Sequence, residues 1–337
     1  MSKILVTGGL GYIGSHTVVE LLNAGFDVAI IDDLSNSEAF VLDRIEEITG
    51  KKPDFFAFDL KDQNQTNQFF AENKIDGIIH FAAHKAVGES MEKPLMYYRN
   101  NLVGLLNLLD ASKANQVDHF IFSSSCTVYG QADELPIDES APIKKAESSY
   151  GKTKQMGEEI LTDYAHVFDK NVIALRYFNP IGAHPTALIG ELPKGVPNNL
   201  IPFVTQTAAG IREELSVFGD DYPTRDGTAI RDYIYVVDLA KAHVKALNRL
   251  LASDNETAYE IFNLGTGRGS TVLEVVHAFE KANNVKLNYK IVERRAGDIT
   301  AAYADNTRAS SVLGWEPQTT LEESLKTAWE WQKRLGE

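Results

Sequence analysis

Short apolar runs rich in β-branched residues alternate with longer stretches of helical period over the first half of the chain. The runs "KILVTGG" (3–9), "DVAIIDD" (27–33), "DFFAFDL" (54–60), "DGIIHFAA" (76–83), "DHFIFSSS" (118–125) and "NVIALRYF" (171–178) predict strands. Between them, helices are expected near 12–24, stopped by Gly25, then at 62–73, at 95–114 starting just after Pro94, and at 150–168. Alternation of this kind builds a parallel sheet covered by helices, and right-handed crossovers make it an α/β, doubly wound Rossmann sheet.

Past Phe178 the regularity fails. The segment "NPIGAHPTALIGELPKGVPNNLIP" is rich in proline and glycine and reads as long loops over the C-terminal edge of the sheet, where such folds bind ligands. Helices expected near 199–209, 236–252, 270–283 and 320–334 complete a smaller, partly interleaved C-terminal lobe. The expected division is 1–178 for a dinucleotide-binding domain, with a return to it at about 230–265, and 179–337 mainly for a substrate-binding lobe.

Composition narrows the partners. Among 337 residues, 33 basic and 47 acidic side chains leave a net charge of -14, which disfavours nucleic acid while permitting a local basic pocket for a small anion. A single cysteine, Cys126, excludes an intramolecular disulfide and fits a reducing compartment. The opening "MSKILVTGGLG" reaches its glycines too early for a signal peptide, and no apolar run approaches membrane-spanning length. A cytoplasmic protein without membrane partners is expected.

The first strand runs into "GGLGYIG", with Gly8, Gly11 and Gly14 three apart and a helix opening at the third. Backbone amides at such a helix start hold a pyrophosphate, although tight strand-to-helix turns without ligand share the pattern. Asp32 and Asp33 close the second strand at the separation where an acid meets the adenosine ribose, or where it caps a turn. A carboxylate on the 2′-hydroxyl would repel a 2′-phosphate, so the expected cofactor is NAD. Asp59, at the end of the third strand, reaches the adenine amine or caps the next helix.

Three residues then suggest chemistry. Ser125 ends the fifth strand, at the sheet edge where a nicotinamide would lie, and Tyr150 and Lys154 share one face of the next helix at i, i+4 spacing. A phenol with a pKa of ~10 is a poor base at neutral pH. A neighbouring ammonium and a cationic nicotinamide both favour phenolate, which then accepts a substrate hydroxyl proton as hydride leaves the same carbon. Tyr-xxx-Lys alone is common on surface helices; the glycine loop and the strand-end serine give it context.

On these residues the sequence resembles the extended short-chain dehydrogenase/reductase family. The blocks "VTGGLGYIGSHT", "HFAAHKAVGES", "FIFSSSCTVYG", "SSYGKTK", "LRYFNPIGAHP", "PNNLIPFV", "VFGDDYPTRDGTAIRDYIYVVDLA" and "NLGTGRGS" are similar, in order, to the branch of that family that inverts UDP-hexoses at C4. The resemblance implies an isomerase of carbohydrate and galactose metabolism that interconverts UDP-glucose and UDP-galactose through a 4-keto sugar on firmly held NAD. It implies Tyr150 as base, Lys154 as its tuning cation and Ser125 as the group that orients the hydroxyl. Cofactor contacts are implied at Gly8, Gly11, Tyr12, Ile13, Gly14, Asp32, Asp33, Asn36, Asp59, Leu60, Phe81, Ala82, Lys85, Asn100, Tyr150, Lys154 and Tyr177. For the UDP-sugar the resemblance points to Asn179, Asn199, Leu200, Phe218, Arg231, Arg295 and Asp298. The two arginines otherwise read as surface salt-bridge partners.

One departure stands out. Where narrow-pocket members carry tyrosine after "RRAGD", this chain has Ala302, which predicts room for a C2 acetamido group and turnover of UDP-N-acetylglucosamine and its galacto epimer. Filling of that space by neighbouring loops is the alternative. A 4,6-dehydratase needs an Asp-Glu pair where Cys126 and Thr127 stand. A UDP-glucuronate 4-epimerase and a non-catalytic NAD-binding sensor stay as alternatives. His80 and His84 lack a third metal ligand in the sequence pattern, so no metal is expected, and Cys126 reads as a packing residue. Helices 95–114 and 150–168 pair with their copies in a homodimer, as the family does, or are buried within one subunit.

Overall fold

The computed structural model describes residues 2–295 and 298–336. Six strands follow in chain order: β1 (Lys3–Thr7), β2 (Asp27–Ile31), β3 (Asp54–Phe56), β4 (Gly77–His80), β5 (His119–Ser125) and β6 (Asn171–Tyr177). With a later strand, Tyr259–Leu264, they form a seven-stranded parallel sheet in the order Tyr259–Leu264, β6, β5, β4, β1, β2, β3. The chain reverses its direction of winding between β1 and β4, so the crevice outside their carboxyl ends is the binding position of this α/β fold.

Period-two burial explains the layers. Ile4, Val6, Val28, Ile30 and Ile79 point to one face, where helices Tyr12–Asn23 and Val236–Leu251 pack on each other and on the sheet. Leu5, Ala29, Ile31 and Ile78 point to the other, under Leu105, Leu108 and Leu161. Both faces are covered, so the middles of the strands are apolar on both sides and polar residues collect at their carboxyl ends.

The observed elements differ from expectation at instructive places. β3 ends at Phe56, three residues before Asp59, which therefore stands in the following loop rather than at the strand end. A helix at Phe40–Thr49, absent from the expected set, buries only Val41 and Ile45 and has no side-chain cap, so its pattern is faint. The stretch after Pro94 is not one α-helix: Pro94–Tyr98 leads into a π-helical turn, Arg99–Val103, and then Gly104–Ala114. Such turns insert one residue into the helix and re-aim side chains, here those of Asn100 and Asn101.

The remaining chain closes over the sheet edge. Helices Leu200–Ala208, Val272–Asn283 and Leu321–Arg334 surround Ile201, Val204, Val217, Val275, Phe279 and Leu325. Thr271 and Thr320 each start their helix with a reciprocal capping box, using Glu274 and Glu323. A three-stranded ribbon sets Ile230–Arg231 between Ser270–Thr271 and Ala301–Ala302, with Ala302 opposite Arg231. None of the helices among the described residues is long and apolar enough to cross a membrane.

Candidate active site

A cleft runs along the carboxyl ends of β1, β2 and β4 and reaches the helix Ser149–Phe168. Its first wall is the glycine loop. Gly8 has φ +69°, and a Cβ there would lie 2.9 Å from the Ala82 nitrogen; one on Gly14 would lie 2.2 Å from the Gly8 carbonyl oxygen. Only glycine leaves this cradle open. The helix that follows starts at Tyr12 on Gly11, which offers no side-chain cap, so its first amides are free for an anion.

Asp32 follows β2 directly and is buried. Its Oδ2 accepts from the Leu10 nitrogen at 3.0 Å, and Oδ1 accepts from the Leu34 nitrogen at 3.0 Å and the Ser37 hydroxyl at 2.6 Å. A carboxylate has about four acceptor positions. One therefore remains on Oδ2 for a ribose hydroxyl. Asp33 forms its own turn with Ser35, while Asp59 accepts from the Lys61 nitrogen and pairs with its ammonium at 2.6 Å. That ammonium donates to Asn100 Oδ1 at 2.8 Å, linking the π-turn to the Asp59 loop.

The cleft is lined by every residue expected at the cofactor: Gly8, Gly11, Tyr12, Ile13, Gly14, Asp32, Asp33, Asn36, Asp59, Leu60, Phe81, Ala82, Lys85, Asn100, Tyr150, Lys154 and Tyr177. The glycine cradle, the uncapped helix start and the acceptor on Asp32 fit a dinucleotide with a free 2′-hydroxyl. Ser35, Ser37, Phe58, His84 and Ser123 also line it and were not anticipated.

At the far end lies the reactive group. Ser148 caps the helix by accepting from the Gly151 nitrogen at 3.0 Å, which sets Tyr150 and Lys154 in the first turns, facing β5. Lys154 Nζ donates to the Ser123 carbonyl at 2.5 Å and lies 4.8 Å from the Phe122 ring centroid and 5.9 Å from that of Tyr150. The Ser123 hydroxyl contacts the Tyr177 hydroxyl. Burial pushes the Tyr150 phenol up to about 12, with the Ser125 hydroxyl pulling in the opposite direction. Burial also lowers Lys154 to about 7, partly offset by the Glu158 carboxylate. Desolvation thus dominates both groups in the folded chain, and the pull toward phenolate expected from Lys154 together with a cationic nicotinamide belongs to the loaded site.

Of the residues expected at the UDP-sugar, Phe218, Arg231, Arg295 and Asp298 lie together outside the lining of this cleft. Asp298 Oδ1 receives Arg295 at 2.8 Å and Arg231 at 3.5 Å, and the Arg295 guanidinium lies 5.8 Å from the Phe218 ring centroid. Asn179 opens a strand paired with Tyr233, and Asn199 precedes the helix that Leu200 begins. Glu191 joins the two walls: one of its oxygens accepts from Asn199 Nδ2 at 2.6 Å and pairs with Lys85 at 3.3 Å. No spacing signal marked Glu191, because it sits in an irregular loop.

Ala302 is 3% exposed, in a cluster with Val128, Ile137, Phe178 and Ala304. It does not line the cofactor cleft. His80 is a core residue, its Nδ1 2.7 Å from the Thr7 hydroxyl and its basicity pushed down to about 3 by burial. Burial raises the Cys126 thiol to about 12, so it stays protonated and packs against its neighbours.

A family model described as GDP-mannose 4,6 dehydratase matches residues 5–328. The UDP-glucose 4-epimerase of Bacillus subtilis is 53% identical over 331 residues, 98% of this chain and 96% of the relative. The structure of UDP-glucose-4-epimerase from Stenotrophomonas maltophila, with bound NAD and formylated UDP-arabinopyranose, superposes with a TM-score of 0.96 at 46% identity, covering 100% of this chain and 99% of that one. The Bifidobacterium longum UDP-glucose 4-epimerase, in complex with NAD+ and UDP, gives 0.94 at 47% identity, with 99% and 98% covered. The family model is broad enough to carry a dehydratase description, yet Cys126 and Thr127 occupy the positions where that reaction needs its acid pair. With half its residues shared over nearly full length, the chain belongs to the UDP-glucose 4-epimerase family.

Proposed function

We propose that this protein interconverts UDP-glucose and UDP-galactose by inverting C4 on a retained NAD. The observation that carries the reading is a single cleft with a glycine cradle and Asp32 at one end and Tyr150 with the buried Lys154 at the other, where the hydroxyl of buried Ser125 acts on the Tyr150 phenol.

A bound NAD would supply a reversible hydride acceptor for C4. The glycine loop and the start of helix Tyr12–Asn23 would hold its pyrophosphate, and Asp32 would hold a ribose hydroxyl. Tyr150 accepts the proton of the C4 hydroxyl, Ser125 orients that hydroxyl, and Lys154 places a positive charge under the site. A phenol pushed to about 12 is protonated at neutral pH. Its deprotonation therefore relies on the cationic surroundings of the loaded site, which ties proton removal to cofactor occupancy.

Arg231 and Arg295 converge where a diphosphate needs charge in an acidic chain, and Asn179, Asn199, Leu200 and Phe218 border the same lobe. Binding concentrated on the nucleotide lets the hexose present either face without losing its main anchors. Val87, Met91, Leu95, Val103 and Leu106 are exposed on the helical segment beside the catalytic helix, which supports a homodimer through these helices, and the lone cysteine supports a cytoplasmic setting.

The test is proton NMR of UDP-galactose with purified protein and no added nucleotide. Appearance of UDP-glucose is expected. An unchanged spectrum even after NAD is supplied would overturn the assignment, and conversion of UDP-glucuronate alone would move it to the uronic acid.

A further inference from the structure

Behind the catalytic lysine lies a buried ion pair that the reaction as described does not use. Glu158 stands one helical turn after Lys154, and its side chain is 9% exposed against 4% for Arg176. Arg176 donates to both carboxylate oxygens, through Nε at 2.9 Å and Nη2 at 2.5 Å. The Ser124 hydroxyl donates to Glu158 Oε1 at 2.5 Å. Ser124 and Arg176 face each other in the β5–β6 register, next to the pair Ser125 and Tyr177. Arg176 continues to the Tyr129 hydroxyl at 3.0 Å, which donates to Asn263 Oδ1 at 2.7 Å.

The arrangement alternates along β5. The Ser123 carbonyl takes the Lys154 ammonium, the Ser124 side chain takes Glu158, and the Ser125 side chain acts on the Tyr150 phenol. Two residues of one helix thus clamp two consecutive residues of the catalytic strand. We infer that Glu158 is a positioning residue for the proposed reaction, fixing the β5 end that carries Ser125 and acting as the counter-anion that keeps Lys154 charged.

The inference rests on the roles given above to Tyr150 and Lys154. A buried pair is no gain in stability over apolar residues of similar volume, so its presence here calls for another explanation. The charged and titratable groups facing Lys154 are few. Glu158 and Tyr150 lie on its own helix, His80 on β4 is held neutral by burial, and Tyr177 on β6 reaches it through Ser123. Glu158, one helical turn from the ammonium, is the carboxylate that works against its burial, while its partner Arg176 is held on both Glu158 oxygens. The groups facing Glu158 are Arg176, Ser124 and, from the edge strand, Tyr259.

The test measures Lys154 titration by NMR in protein carrying [ε-13C]lysine, the signal being assigned by its loss in Lys154→Met. In Glu158→Gln the midpoint should fall by about one pH unit or more relative to wild type, with Glu158→Asp restoring it. Turnover of UDP-galactose in Glu158→Gln should lose its alkaline limb at lower pH while KM changes little. Because Glu158→Gln leaves Arg176 buried without its anion, the double variant Glu158→Leu, Arg176→Met is measured beside it, and its lysine should titrate low as well. An unchanged midpoint in variants that still melt cooperatively would overturn the inference. The lysine titration needs no substrate, so it stands or falls separately from the NMR conversion assay that tests the reaction itself.

Discussion

The Lys154 ammonium lies 5.9 Å from the centre of the Tyr150 ring and is anchored on the Ser123 carbonyl at 2.5 Å. The lysine is therefore fixed by the strand, not by the phenol. Its charge reaches Tyr150 through space, across the same cleft into which Ser123 and Tyr177 project. Removing the phenolic hydroxyl should abolish proton transfer without disturbing this anchor. Tyr150→Phe is expected to lower kcat by about 10²–10⁴, with NAD still co-purifying, as measured by turnover of UDP-galactose and cofactor absorbance. Retained turnover would remove Tyr150 from the role of base.

Burying an ammonium has a stability consequence whose sign can be worked out. Lys154 falls from an ordinary 10.5 to about 7 in the folded chain. The unfolded chain therefore binds more protons between these values, and stability rises with pH across that window. Below pH 7 the full penalty is present. Lys154→Met should accordingly raise stability at neutral pH, on the order of 1–3 kcal/mol, while turnover collapses. The gain over wild type should shrink as pH climbs from about 7 toward 10.5, read by denaturant melts at several pH values.

The glycine loop gives a steric prediction. A Cβ on Gly14 would meet a carbonyl oxygen at 2.2 Å, whereas one on Gly88, within the helix Val87–Glu92, meets nothing within 4 Å. Gly14→Ala should destabilise by about 1–3 kcal/mol and release NAD. Gly88→Ala should be neutral or stabilise by up to about 1 kcal/mol. Thermal melts with and without NAD separate the two.

These contrasts also indicate what the sequence could reveal. Gly8, Gly11 and Gly14 were legible because their backbone requirement is local, and Tyr150 with Lys154 because a helix fixes i, i+4 neighbours. Arg231, Asp298 and Ala302 come together through two-residue strands with no periodicity to read, so only the family resemblance pointed to them. Glu191 and Glu158 carried no signal at all; an acid in a loop and an acid on a helix read as solvated until the fold buries them. The rise of the Tyr150 phenol on burial carried no signal for the same reason, since desolvation is a property of the packed site and not of the motif.

The pair of guanidiniums on Asp298 makes a binding prediction. Arg231 and Arg295 share one carboxylate oxygen, so each keeps donors for a diphosphate. Arg231→Ala and Arg295→Ala should each raise KM for UDP-galactose by about 10–100-fold with kcat nearly unchanged, the signature of lost binding common to ground and transition states. Steady-state kinetics decide it, and a fall in kcat at constant KM would contradict the assignment.

Ala302 offers the last prediction, on sugar specificity. It pairs with Arg231 in register, so its side chain sits next to the diphosphate anchor, yet only 3% of it is exposed and Val128, Ile137 and Phe178 pack around it. A tyrosine ring cannot enter that cluster without displacing it, at about 1–3 kcal/mol. The lower-strain direction is toward the substrate, where the ring would occupy the space an acetamido group needs. Wild-type protein should therefore turn over both UDP-N-acetylglucosamine and UDP-glucose. Ala302→Tyr should lose the N-acetyl activity by about tenfold or more, within the range of discrimination that shape alone provides, and keep the activity on UDP-glucose. Rates measured on both sugars for both proteins settle the matter: equal N-acetyl turnover in the two would mean that the Val128–Phe178 cluster, and not the residue at 302, sets the width of the hexose site.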